Sequence, residues 1–247
     1  MAEFTMTIAG YAARVQSLFE STPQYFRPYL TEDTPRFFFT VTEEDIAFER
    51  RFLYEEALEE GFRVRNFPDP FLERAAIQRK FAEVLFDLDI LLLHGSTVAV
   101  DGSAYLFTAR SGTGKSTHTR LWREVFGSRA VMVNDDKPFL KFTPEEILAC
   151  GSPWSGKHGL DSNVSVPLKG ICLLERGAEN QITPLNQEDA LAFLQKQCHI
   201  PADPGKLPRL LELLEELTRR VPLWRMTCTK DPQAALVAYS TMSRKNK

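Results

Sequence analysis

Two periods alternate along the chain. Ile77, Phe81, Val84, Leu85 and Leu88 fall mostly three or four residues apart and predict the buried face of one helix, entered after Pro68 and Pro70. Leu207, Leu210, Leu214, Leu217 and Val221 repeat the pattern after Pro201, Pro204 and Pro208, so the final third reads as helical. Glu43–Glu60 reads as a further helix, opened by Thr42 with acidic residues in its first turn and stopped by Gly61. Shorter apolar runs predict strands at Met6–Ala9, Phe37–Val41, Ser96–Val100, Ala104–Thr108, Ala130–Val133, Lys169–Leu174 and Gln181–Leu185. Phe139–Phe142 is expected to be the hairpin partner or bulged continuation of Ala130–Val133.

The order of these elements is most informative at the centre. Asp101-Gly102 is the two-residue turn that a type I′ hairpin demands, so Ser96–Val100 and Ala104–Thr108 are expected to run antiparallel. The second strand leads directly into Ala109-Arg110-Ser111-Gly112-Thr113-Gly114-Lys115-Ser116-Thr117, and His118–Phe126, closed by Gly127, reads as a helix. The expected fold is α/β (α+β), with a mixed, partly antiparallel sheet and flanking helices. Residues 1–70 carry no catalytic cluster and read as an N-terminal α/β extension or lid; residues 71–247 form the main domain, with a helical C-terminal part and a frayed basic tail at Arg244–Lys247.

Composition narrows the class. The chain has 247 residues, 43% hydrophobic and 26% charged, which is ordinary globular usage. Thirty basic against thirty-three acidic residues leave a net charge of -3, so no global basic field exists to hold nucleic acid or an anionic membrane. Cys150, Cys172, Cys198 and Cys228 lack C-x-x-C pairing and are expected as reduced, mostly buried thiols. The N-terminus shows no basic region followed by an apolar one, and the longest apolar run, Ile90–Leu93, is far shorter than a membrane helix. A cytoplasmic location is expected.

A phosphate chain needs several backbone N–H donors converging on it, and a glycine-rich turn at a helix N-terminus supplies them, with a lysine for the terminal phosphates. Ser111, Gly112, Thr113, Gly114, Lys115, Ser116 and Thr117 have that composition: the glycines let the backbone wrap, Lys115 bridges phosphates and the Ser116 hydroxyl meets Mg2+. The pattern departs from the standard one at its first position, Ala109 in place of Gly. Asp135 and Asp136 end an apolar strand beyond the loop, where one carboxylate can hold the metal and the other take a proton from an acceptor hydroxyl. An isolated Asp-Asp would instead read as a solvated turn.

His94-Gly95-Ser96, the Asp101-Gly102 hairpin, Ser111–Thr117 and Asn134-Asp135-Asp136 together resemble the HPr kinase/phosphorylase family and the related phosphoenolpyruvate carboxykinases, over about residues 90–175. The resemblance implies a P-loop core entered through a hairpin, unlike ordinary phosphate-loop kinases, whose strands run parallel through helical crossovers. It implies phosphate and Mg2+ binding by Lys115 and Ser116, with Asp136 at the metal and the Asp135–Asp136 pair supplying the base. His94 matches the family's active-site histidine. The family's glutamate after the loop serine is Thr117 here, and its later signature around a second catalytic glutamate is not found, which argues against HPr itself as substrate and against the reverse phosphorylase activity. Within Gly151–Gly159, Lys157, with His158 beside it, either pairs with the transferred phosphoryl charge or is an ordinary surface lysine. Lys137 either neutralises the acidic pair or meets substrate, and Arg110, Arg120 and Arg123 read as solvated or ion-paired.

The expected activity is therefore ATP-dependent transfer of the γ-phosphoryl group to a hydroxyl of a protein, peptide or small-molecule acceptor, with Mg2+ as cofactor and GTP open as an alternative to ATP. The alternative is a nucleotide-binding regulatory protein without transfer. The C-terminal helix face is either core or the interface of a homo-oligomer.

Overall fold

In the computed structural model, which describes residues 1–59, 61 and 63–244, the chain divides into two compact units, Met1–Leu85 and Phe86–Lys247. Glu60, the expected end of the first predicted helix, and residues 245–247 of the basic tail lie outside the described residues.

The first unit opens with a hairpin of β1 (Ala2–Ile8) and β2 (Tyr11–Ser17). Ala9 (φ 53°) and Gly10 (φ 84°) form its turn, both in the left-handed region that a type I′ turn requires. The sequence reading missed β2, since Tyr11-Ala12-Ala13-Arg14 has no alternation to mark it. The short helix α1 (Thr22–Tyr25) follows, then β3 (Phe37–Thr40) joins β2 in parallel, giving the order β1-β2-β3. Two helices complete the unit, α2 (Glu43–Glu59) and α3 (Asp69–Phe86), and the boundary expected at residue 70 falls in the first turn of α3. Ile77, Phe81 and Leu85 of the predicted stripe are buried, and Phe81 meets Phe39 edge-on with ring centroids 5.0 Å apart. Buried Glu73 accepts from the Leu18 amide at 2.5 Å and from the Thr22 hydroxyl, so its carboxylate is not left unpaired.

The second unit runs β4 (Ile90–Leu92), β5 (Ser96–Val100), β6 (Ser103–Thr108), α4 (Lys115–Phe126), β7 (Ala130–Asn134), β8 (Phe139–Phe142) and β9 (Ile147–Cys150). It continues through β10 (Ser165–Arg176), β11 (Gln181–Pro184), α5 (Gln187–Leu194), α6 (Leu207–Arg220), β12 (Leu223–Cys228) and α7 (Gln233–Met242). The strands form a mixed sheet in the order β4-β8-β9-β10-β6-β5-β7, with β12 against β10 and β11 against β12. The long β10 organises it. Its start pairs antiparallel with β9, its middle parallel with β6 and its end parallel with β12.

Alternation along the central strands sends Leu106 and Ile171 into a core with Leu213, Leu214 and Leu217 of α6, and Phe107 and Cys172 into a second core with Trp122 of α4 and Ala234 and Ala238 of α7. Helices thus cover both faces of the sheet. Three expectations are corrected. The final third is not all helical, because β12 lies within it and joins the sheet. Leu207 is exposed, and Leu213 takes its place on the buried face of α6. Strand β8 does not pair with β7 but with β4 and β9, because the turn at Asn134–Pro138 carries the chain to the other part of the sheet. The four cysteines are free thiols, with Cys150 and Cys172 buried. Among the described residues no helix is long and apolar enough to cross a membrane.

Candidate functional site

The site begins where the sheet hands the chain to α4. Strands β5 and β6 pair antiparallel from Ser96↔Phe107 to Val100↔Ser103, and Asp101 (φ 51°) and Gly102 (φ 76°) close the hairpin as a type I′ turn. The chain then enters the glycine loop through Ala109, which is fully buried in the core beside Leu121 and Trp122. Ala109 is not among the residues with positive φ, so its backbone makes no demand for glycine there. The demand falls on Gly112 (φ 74°) and Gly114 (φ 127°), where the loop reverses and delivers the chain to the helix.

Helix α4 starts at Lys115, three residues earlier than its apolar pattern indicates. Gly114 is its N-cap and offers no side chain, and no acidic residue occupies the first turn, so nothing within the helix itself caps or offsets its positive end. Instead the first turn holds Lys115, only 9% exposed, an ammonium at the end of the dipole that disfavours it. Its Nζ donates to the Ala109 carbonyl at 3.4 Å. Ser116 and Thr117 are half-buried, while Ser111 and Gly112 are exposed at the loop's outer edge.

The acidic pair faces this turn, and its two members differ. Asp135 is 5% exposed; it accepts from Ser96 Oγ at 2.6 Å and is hydrogen-bonded to the Ser116 hydroxyl. Thr119 Oγ1 lies 2.8 Å from Ser96 Oγ, extending the network into α4. Burial raises the Asp135 carboxyl above its ordinary value, against the pull of the two serine hydroxyls. Asp136 is more open, and His94 Nε2 lies 3.2 Å from its Oδ1. Burial opposes ionisation of Asp136 too, but the His94 hydrogen bond and the charges of Lys137, His94 and Lys115 outweigh it and hold the carboxyl below the usual range. His94 is pushed down, first by burial and then by Lys137 and Lys115, against the pull of its bond to Asp136. Its backbone is fixed on both sides, its amide to the Gln197 carbonyl at 2.8 Å and its carbonyl to the Thr108 hydroxyl at 3.0 Å.

Asn134 ties the pair to the neighbouring loop. Its Oδ1 accepts from the amides of Asp136 (2.7 Å) and Lys137 (2.6 Å), and its Nδ2 donates to the carbonyl of Ser152 at 2.7 Å. Ser152 Oγ in turn donates to the Lys137 carbonyl at 2.6 Å. Gly151 is obligatory in this arrangement, since a Cβ there would stand 1.7 Å from the Ser162 carbonyl oxygen. Gly156 (φ 68°) brings backbone against Asp136, where a Cβ would meet the aspartate Cβ at 3.3 Å. Lys157 follows on an exposed single turn and, among the described residues, makes no hydrogen bond or ion pair. The charge that reaches Asp135 from this loop is that of His158.

The structure therefore brings together Ser116, Asp135, Asp136 and His94 next to Lys115 and leaves Lys157 at the rim. Ser116 meets Asp135, rather than the Asp136 that the resemblance puts with it at the metal. Arg120 is ion-paired with Glu124 on the helix surface. Arg176 is a residue the sequence reading missed. At the end of β10 its Nη2 donates to the Gly112 carbonyl at 2.5 Å and its Nε to the Thr113 carbonyl at 3.2 Å, which fixes which way these loop peptides face. Ser96, Thr119 and Asn134 were read without these roles, and only Asn134, directly before the acidic pair at a strand end, carried a local signal of the capping turn it makes.

A family described as "ScmC: SynChlorMet cassette protein ScmC" matches residues 79–201, a stretch that contains the hairpin, the glycine loop, the acidic pair and the Ser152 loop. No curated protein sequence matches the chain. Among solved structures, the chain is similar to the Hpr(Ser) kinase/phosphatase from Coxiella burnetii, with 16% identity over 52% of this chain and 88% of that one and a TM-score of 0.28.

Proposed function

We propose that this protein transfers the γ-phosphoryl group of ATP to a hydroxyl acceptor. The observation that carries the reading is the start of α4. A helix N-terminus without a side-chain cap, entered through a glycine loop and with a nearly buried lysine in its first turn, presents backbone N–H donors and a cation to a phosphate chain. The facing acidic pair gives that anion a chemistry. The motif resemblance over residues 90–175 supports the same reading.

The residues present suit Mg2+. Ser116 and Asp135 are hard oxygen donors already in contact with each other, and among the described residues no group of three His, Cys, Asp or Glu could cage a metal alone. That is the donor set for an ion that keeps waters and borrows phosphate oxygens. Bound there, Mg2+ supplies charge neutralisation on the β- and γ-phosphates. In this reading Ser116 with Asp135 holds the ion, since Asp136 is engaged by His94 instead. Asp136, open to solvent and kept ionised, takes the acceptor proton, while His94 orients its carboxylate. The bond from the γ-phosphorus to the β–γ bridging oxygen breaks, a bond to the acceptor oxygen forms, and the nucleoside diphosphate leaves on Lys115 and the loop amides.

Calorimetric titration of MgATP and MgGTP into the wild type and a Lys115→Ala variant, paired with a slow-hydrolysis assay, tests the proposal. Binding and weak turnover that both disappear in Lys115→Ala are the expected result. Binding without turnover in any acceptor mixture moves the reading to a nucleotide-dependent regulatory protein, and absence of binding ends it.

A further inference from the structure

Several surface cations of the second unit find carboxylates: Arg129 pairs with Asp101, Lys206 with Asp87, Arg209 with Asp89 and Arg220 with Glu216. Among the described residues Lys137 does not, nor do Lys157 and Lys169; what sets Lys137 apart is where it stands. It directly follows two aspartates and is half-buried, yet among the described residues its ammonium has no ion pair or hydrogen bond. Asp136 Oδ1 faces His94 and Asp135 faces Ser96 and Ser116, and neither carboxylate lies within ion-pair distance of the Lys137 ammonium.

The backbone of Lys137 is also held at both ends. Its amide donates to Asn134 Oδ1 and its carbonyl accepts from Ser152 Oγ, each at 2.6 Å. The side chain therefore leaves a fixed point beside the acidic pair, and its charge is felt by both His94 and Asp136. With the backbone fixed, only the freedom of the lysine side chain remains to be lost when it binds an anion. The glycine loop has its own lysine, Lys115, so the nucleotide does not require a second one. Lys137 instead adjoins Asp136, the open carboxylate that an acceptor hydroxyl must approach.

We infer that Lys137 binds an anionic group of the acceptor, so that the substrate is a hydroxyl compound carrying a carboxylate or phosphate close to the hydroxyl that is phosphorylated. This rests on the phosphotransfer reading of the site and adds the substrate class to it.

The test fills the loop with Mg2+ and a non-hydrolysable ATP analogue and titrates malonate and inorganic phosphate separately into the wild type, Lys137→Gln and Lys137→Arg. At least one anion is expected to bind the wild type, with about tenfold weaker binding in Lys137→Gln and partial recovery in Lys137→Arg. The affinity for the analogue should change by less than about twofold. Malonate alone, phosphate alone or both identifies the anion. Equal binding in Lys137→Gln, no anion binding to the wild type, or a large loss of analogue affinity in Lys137→Gln each overturns the inference. If the analogue does not bind at all, the nucleotide reading has failed by itself. The same anions titrated into Lys115→Ala with and without Lys137→Gln then still decide the role of Lys137.

Discussion

Ser96 donates a 2.6 Å hydrogen bond to Asp135, and both residues are buried, Ser96 fully and Asp135 at 5% exposure. This buried carboxylate is thereby kept from the full effect of its desolvation, with Thr119 bracing the serine from the first turns of α4. Replacing Ser96 by Ala removes a bond to a charged acceptor and is expected to destabilise the protein by about 1.5–3 kcal/mol. It should also raise the Asp135 carboxyl further, so that the acid limb of Mg-nucleotide binding moves to higher pH. Urea unfolding and nucleotide titration between pH 5 and pH 8 report both effects. An unchanged acid limb would mean that Asp135 has no part in holding the metal.

Arg176 acts on the loop from a distance. Its guanidinium grips two consecutive loop carbonyls, of Gly112 and Thr113, and so fixes the orientation of their peptides, the first of which donates its Thr113 amide to the Arg110 carbonyl at 3.2 Å. The side chain is exposed, so Arg176→Ala should cost less than about 1 kcal/mol of stability. Nucleotide affinity should fall about tenfold, the equivalent of one lost charge-assisted contact. Lys has no fork to grip both carbonyls, and Arg176→Lys should recover only part of the loss. Affinity equal to wild type in Arg176→Ala would show that the loop holds its shape without the clamp.

The contrast between these two residues explains what was legible beforehand. The hairpin, the loop and the acidic pair are local: Asp101-Gly102 dictates its turn, the glycines at 112 and 114 dictate positive φ, and the strand before Asp135 places it at a sheet end. Those features are written within a few neighbouring residues, and the mixed sheet followed from the hairpin. Arg176 is distant from Gly112 in sequence, and only the parallel pairing of β10 with β6 brings it there. For the same reason β12 and the true partners of β8 were not visible: strand pairing is long-range, and an amphipathic run such as Leu223–Cys228 does not announce its neighbour. Helix α4 began early because Lys115, Ser116 and Thr117 are polar and outside the apolar stripe, yet a helix start is set by its cap at Gly114.

Ala109 stands where the usual loop pattern has glycine, and the structure gives this departure a definite sign. The methyl group is fully buried against α4, and the backbone adopts no positive φ. Ala109→Gly should therefore lose about 1–2 kcal/mol, the sum of one buried methyl and the added freedom of the unfolded chain. Restoring the standard residue should bring no gain in MgATP affinity. A variant that binds nucleotide several-fold more tightly than the wild type would show that the alanine had been restraining the loop.

His118, on the buried face of α4, provides a pH dependence that can be read without any ligand. Its Nε2 accepts from Trp122 Nε1 at 3.1 Å, its Nδ1 is buried without a partner among the described residues, and burial lowers its pKa to about 4. In the unfolded chain it titrates near ~6.5. A base depressed on folding favours the folded state while neutral, so its contribution is complete above the unfolded value and is lost as pH falls from 6.5 toward 4. At about 1.4 kcal/mol per pH unit across that window, the loss amounts to about 3 kcal/mol. His94 is lowered in the same direction, so the informative quantity is the difference between wild type and His118→Gln, in which the amide oxygen can still accept from Trp122. The wild type should lose stability more steeply than the variant between pH 6.5 and pH 4, and the two curves should run parallel above pH 7. Parallel curves throughout would show that His118 is protonated in the folded protein and that its side chain is less enclosed than the packing of Phe107 and Trp122 around it implies.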